Sequence, residues 1–132
     1  MGEIDKVAWI LIEDGRVLST RSMGKEAWYL PGGKREPGET DLETLRREIG
    51  EELSVEIDVP SAVHLGVFTA AAHGHAAGVT VRMTCYRAGY RGRLQPASEI
   101  AEMAWLGYAD RHRTSAVDHI IFDHLLAEDL LR

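Results

Sequence analysis

Apolar and polar positions divide the chain into strand-like and helix-like stretches. Val7 to Ile12 is a continuous apolar run, as in a strand buried on both faces. Glu13-Asp14-Gly15 is a hairpin turn signal, and Arg16 to Arg21 is the return strand. Polar Ser22 to Glu26 reads as a loop. Trp28-Tyr29-Leu30 reads as a short strand stopped by Pro31-Gly32-Gly33. Val55 to Val59 is a further short strand, ended by Pro60, and Ala62 to Ala72 another. Val79 to Ala88 alternates, with Val79, Val81, Met83 and Cys85 on one side and Thr80, Arg82, Thr84 and Tyr86 on the other. Gly89 to Pro96 is a loop or edge segment. Ser115 with Asp118 marks a helix start, and Val117, Ile120, Ile121, Leu125 and Leu126 supply its apolar stripe. Strands mixed with two helices predict an α/β fold with a mixed sheet covered on both faces.

The central helix is predicted over residues 41–53. Thr40 is its N-cap and Glu43, three residues on, completes a capping box. Leu42, Leu45, Ile49 and Leu53 fall on one stripe at about 100° per residue. Glu48, Glu51 and Glu52 share a neighbouring face at i, i+3 and i+4. Their repulsion costs a few tenths of a kcal/mol per pair, which makes sense if a cation sits among them. Hard oxygen ligands suit Mg²⁺ or Mn²⁺ rather than zinc. Before the helix, Gly32, Gly33, Pro37 and Gly38 punctuate a loop that needs special dihedrals and close approach. An acidic helix face standing alone would read as solvated surface.

It does not stand alone. Gly33, five residues, Glu39, seven residues, Arg47-Glu48, an aliphatic, one residue and Glu51-Glu52 together resemble the Nudix box of the Nudix (MutT-like) hydrolases, over the 23 residues from Gly33 to Val55. One position departs: Ser54 stands where the family usually has Gly, which predicts a local cost of about 1 kcal/mol or a different helix exit. The resemblance implies a Nudix-type α/β/α sandwich, a single domain over 1–132, and metal-dependent hydrolysis of a pyrophosphate linkage in a nucleoside diphosphate joined to another group. ADP-ribose, dinucleoside polyphosphates, nucleoside triphosphates and nucleotide sugars all stay open as substrates. Carried over by position, Glu48, Glu51 and Glu52 are metal ligands, joined by the carbonyl of Gly32. Arg47 orients the carboxylates, and Gly33 and Glu39 support the loop. The family also supplies a late carboxylate. Here that is Glu99 or Glu102, with Glu102 preferred, and the general base is Glu48 or Glu102.

Other side chains carry two readings each. Trp28 is core or stacks on a base. Arg16, Arg21 and Arg82 hold phosphates or are solvated. His73 and His75 contact substrate or, with His64 and Cys85, form a zinc site whose spacing matches no standard pattern. The 132 residues are 45% hydrophobic and 27% charged, the balance of a soluble globular domain. No apolar run is long enough to span a membrane and no secretory signal is evident, so membrane partners are not expected. The single Cys85 fits a reducing cytoplasm. A net charge of −6 argues against nucleic-acid partners, including an RNA 5′ end, and favours a small nucleotide; a homodimer is left open. A competing class is a nucleotide-sensing or protein-interaction module that has lost catalysis. Its signature would be loss of a metal-binding Glu, and all three are present.

Overall fold

The computed structural model describes residues 2–72 and 77–132, so the expectations for His73 and His75 lie outside the described residues. The elements follow as β1 (Gly2–Trp9), β2 (Ile12–Glu13), β3 (Arg16–Ser22), β4 (Gly32–Lys34), α1 (Asp41–Leu53), β5 (Glu56–Ile57), β6 (Val63–Ala71), β7 (Val79–Arg87), β8 (Tyr90–Arg91), β9 (Ile100–Leu106) and α2 (Ala116–Ala127). The strands form more than one sheet. A four-stranded sheet runs β4-β1-β7-β6, a three-stranded one runs β2-β3-β9, and β5 pairs with β8. The larger sheet is mixed, because β1 is parallel to β7 and antiparallel to β4.

β1 separates two cores. Successive side chains of a strand point to opposite faces. Val7 and Trp9 join Leu45, Ile49 and Leu53 of α1. Ala8, and Ile10 just beyond the strand, join Ile121, Phe122 and Leu125 of α2. The helices therefore cover opposite faces, the α/β/α order expected. At the 13–16 turn, Asp14 and Gly15 both have positive φ (52° and 74°), as a two-residue hairpin of the primed type requires.

Two expectations need correction. Trp28-Tyr29-Leu30 is not a strand: Tyr29 and Trp28 make single bridges to Thr20 and Thr114. Pro31 has no N–H to extend the pairing, and the strand forms instead at Gly32–Lys34. There Gly32 has φ 143°, and a Cβ on it would overlap the Val7 carbonyl, so only glycine lets β4 lie against β1. The second correction concerns α2. Ile120 and Leu126 are exposed, whereas Phe122 and Asp118 are buried. Reading Asp118 as a capping residue turned the apolar stripe to one side. Asp118 lies within the buried face, and Ser115, the N-cap, makes no side-chain cap bond.

Candidate active site

α1 begins as the sequence predicts. Thr40 Oγ1 accepts from Glu43 N at 3.2 Å, and Glu43 Oε1 accepts from Thr40 N at 2.8 Å. One turn later the helix carries a guanidinium that organises the loop before it. Arg47 Nε and Nη2 donate to the two oxygens of Glu39 at 2.8 and 2.9 Å, Nη1 donates to Glu48 Oε1 at 2.8 Å, and Nη2 also reaches the Lys34 carbonyl at 3.1 Å. Glu39 additionally accepts from Glu36 N and Thr44 Oγ1. Charge-assisted bonds of this kind hold the charged form. The Glu39 carboxyl is accordingly lowered to about 2, chiefly by Arg47.

Gly33 makes room for the next carboxylate: a Cβ there would overlap the Glu48 side chain. Burial raises the Glu48 carboxyl although Arg47 opposes the rise. Glu52 is buried and accepts from Gly32 N at 3.2 Å. Desolvation pushes its carboxyl up to about 8, and the charges of Glu48 and Glu99 add to the rise. Glu51 points outward with its side chain 57% exposed, 3.8 Å from Arg47 Nη1. The structure therefore brings Glu48 and Glu52 together and leaves Glu51 beside them. Among the described residues no three carboxylate, thiol or imidazole groups stand as a closed metal cage.

The end of α1 draws in the late segment. The last carbonyls of a helix lack intrahelical partners. Here Gln95 N donates to Leu53 O and Ala97 N donates to Glu52 O, each at 2.9 Å. Ser54 takes the left-handed conformation (φ 63°) expected of a glycine, and its Oγ donates to the Gln95 carbonyl at 3.2 Å. This docking puts Glu99 close enough to raise Glu48 and Glu52. Glu102 is two strand positions beyond Ile100 and pairs with Arg21 across β3 and β9.

A cavity of about 450 Å³ opens beside these groups, within the usual range for small-molecule sites. Glu48, Glu52 and Glu99 line one edge with Gly32 and Gly33. Ile4 and Lys6 of β1 and Val81 and Met83 of β7 form its floor, and Leu30 and Val117 close it from the α2 side. Glu99, not Glu102, is the late carboxylate facing this space. Arg21, Trp28 and Arg82 do not line it. Arg21 is engaged by Glu102 and the Lys25 carbonyl, Trp28 is buried in the α2 core with Arg113 over its ring, and Arg82 lies 3.8 Å from Asp5. Cys85 is buried in the same core and His64 packs on Tyr86, so these two do not converge on a zinc site. Sequence reasoning missed Lys6, because it began the strand at Val7. The signal was a lysine in the alternating series Ile4, Lys6, Ala8, Ile10, whose other members face the core.

The NUDIX domain model matches residues 4–124. A MutT-like protein of Streptomyces ambofaciens is 33% identical over 101 residues, 76% of this chain and 61% of that protein. An RNA pyrophosphohydrolase of Halorhodospira halophila (strain DSM 244 / SL1) is 49% identical over 43 residues, 33% of this chain and 24% of that protein. The matched stretches span less than two thirds of the length of these curated relatives. The crystal structure of the MutT protein from Methanosarcina mazei Go1 superposes with a TM-score of 0.77 at 20% identity, over 97% of this chain and 96% of that one, which supports the fold. No helix among the described residues is long and apolar enough to cross a membrane. With the family model spanning almost the whole chain, the protein belongs to the Nudix family.

Proposed function

We propose that the chain hydrolyses the pyrophosphate linkage of a nucleoside diphosphate joined to another group, with Mg²⁺ or Mn²⁺ as cofactor. The observation that carries this reading is the pairing of Glu48 and Glu52 at the edge of a cavity large enough for a nucleotide. The donor set fits a hard divalent cation: carboxylate oxygens, two of them withdrawn from water, with Glu51 and Glu99 adjoining. When bound, such a cation neutralises clustered charge, polarises phosphoryl oxygens and makes water a better nucleophile. Glu48, Glu52 and, after a side-chain rotation, Glu51 would hold it, and the resemblance adds the carbonyl of Gly32, a residue of the same edge.

The remaining work belongs to the chain itself. Arg47 fixes Glu48 from one side and the Glu39 loop from the other, so the carboxylate is oriented before substrate arrives. Gly33 lets that carboxylate lie against β4. Water attacks one phosphorus, the bridging P–O bond breaks, and the bridge oxygen leaves with its phosphate. A pocket carboxylate, Glu48 or Glu99, accepts the proton of the water. Glu102 is assigned instead to holding Arg21 and the β3–β9 edge.

A panel of nucleoside triphosphates, dinucleoside polyphosphates, ADP-ribose and nucleotide sugars, assayed with Mg²⁺ and with Mn²⁺ for released phosphate and pyrophosphate, tests the reading. Turnover of at least one class is expected. No turnover of any, by folded protein, would reject it in favour of the non-catalytic module.

A further inference from the structure

The cavity has a charge pattern that hydrolysis alone does not use. Its floor is a row across the larger sheet: Lys34 of β4 faces Lys6 of β1, which faces Met83 of β7. Neighbouring strands lie about 4.8 Å apart. Lys6 thus stands one strand in from the carboxylate edge, and Met83 a second. Beyond Lys6 the lining turns apolar, with Val81, Met83, Leu30 and Val117.

Lys6 is half-buried, and its ammonium contacts the face of Tyr29, 5.8 Å from the ring centroid. Among the described residues no side-chain hydrogen bond or ion pair holds it. It lies between two carboxyl groups, Glu52 at the carboxylate edge and Asp118 behind Leu30. An ammonium has three donors and no acceptor capacity. Half out of water, it favours a ligand that presents acceptors. The phosphates of a substrate have nearer cations: Lys34 is exposed on β4, beside Gly32 and Gly33, and Lys25 is exposed at the rim. The apolar side chains around the Met83 floor suit the planar base of a nucleotide better than its phosphates.

We propose that Lys6 reads the nucleobase, donating to a ring carbonyl of a base laid on the Met83 floor, so that the pocket selects guanine-type over adenine-type nucleotides. Guanine presents O6 and N7 as adjacent acceptors, the edge that lysine matches, whereas adenine places the N6 amino donor where guanine has its carbonyl. The inference rests on reading this cavity as the nucleotide site.

Titration calorimetry with GMP, AMP and inorganic phosphate, without metal, on the wild type, Lys6→Met and Lys6→Gln tests it. Each protein is first checked by thermal melting. The wild type should bind GMP about tenfold or more tighter than AMP. Both variants should bring that ratio close to one and leave phosphate binding unchanged. Three results would overturn the proposal: no GMP preference in the wild type, a preference that survives in a folded variant, or an equal loss for GMP, AMP and phosphate, which would make Lys6 a phosphate ligand. Failure of the hydrolase reading is distinct. A GMP preference lost on substitution, in a protein that turns over no nucleotide, would reject hydrolysis and leave the base-reading role of Lys6 standing.

Discussion

The two helices bury carboxylates on opposite sides of one sheet, and they do so differently. On α1 and the loop before it the charged groups form a connected set: Arg47 donates to both Glu39 and Glu48, Glu39 also accepts from Glu36 N, and the adjoining Glu52 accepts from Gly32 N. On α2 a single carboxylate, Asp118, is fully buried with one oxygen accepting from Leu30 N at 3.2 Å, and the other has no hydrogen-bond partner among the described residues. A connected set fixes geometry, as a reaction centre requires. A lone buried carboxylate mainly makes stability depend on pH, because it resists ionising. The comparison separates a charge arrangement that serves chemistry from one that ties an element to its neighbour.

The largest effect should come from the α1 side. Chelation with EDTA is expected to abolish turnover, and added Mg²⁺ or Mn²⁺ to restore it, because carboxyl groups that suit a hard cation adjoin at one cavity edge. Full activity in EDTA would leave α1 with no catalytic distinction. Next is Arg47→Ala, which removes the donor shared by Glu39 and Glu48. Lost bonds to charged groups are worth about 1.5–3 kcal/mol each when shielded and less where water reaches them, as at this partly exposed site. We expect a stability loss of about 1–3 kcal/mol in urea melts together with at least tenfold lower kcat. A variant with wild-type kcat would show that Glu48 needs no orienting.

Asp118→Asn examines the α2 side. The Asp118 carboxyl is pushed from an ordinary value near 3.8 up to about 7, chiefly by burial. Between those values the folded state holds a proton that the unfolded state has released. Stability is therefore greatest below about pH 4 from this group and is lost as pH rises toward 7. Glu52 contributes with the same sign, up to about 8. Asp118→Asn should keep an acceptor for Leu30 N and flatten the fall in melting temperature from pH 5 to pH 7.5. Parallel curves for variant and wild type would contradict the assignment. The smallest effect is Gly50→Ala. A Cβ at Gly50 would meet only the Val55 carbonyl at an ordinary 3.8 Å, so the helix should gain up to about 1 kcal/mol with turnover unchanged. A loss of stability would reveal a constraint that the geometry does not contain.

The same comparison explains what the sequence revealed. α1 was legible to the residue, from Asp41 to Leu53, because cap, capping box and stripe all sit within one helix and agree. The roles of Glu39, Arg47 and Glu48 were legible only through the resemblance to the Nudix box, and hydrogen bonds join the three in the structure. α2 was located but turned wrongly, because a buried Asp118 contradicts the rule that places charge outside, and its reason, the Leu30 amide, lies 88 residues away. Glu99 and Glu102 were not separable for a related cause. The choice depends on the 95–97 amides docking on the end of α1, a contact that no local pattern encodes. Gly32 and Gly33 read as a loop because glycine usually marks one. Here they are strand residues whose missing Cβ admits the Val7 carbonyl and the Glu48 carboxylate. Lys6 was overlooked because an isolated lysine at the start of an apolar run reads as a strand end rather than a pocket floor.

The central claim is that the Glu48–Glu52 edge is a reaction centre and not helix surface. Its most direct test is kcat for Glu52→Gln and Glu43→Gln on a substrate that the wild type hydrolyses. Both replacements keep shape and remove one carboxyl group from the same helix. Glu43 serves the cap, bonded to Thr40 N, whereas Glu52 lies at the cavity edge, bonded to Gly32 N. Glu52→Gln should lower kcat by about 10²-fold or more, with stability at neutral pH unchanged or raised. Glu43→Gln should leave kcat within about twofold of wild type and cost at most about 1 kcal/mol at the helix start. Equal kcat values for the two variants would contradict the account.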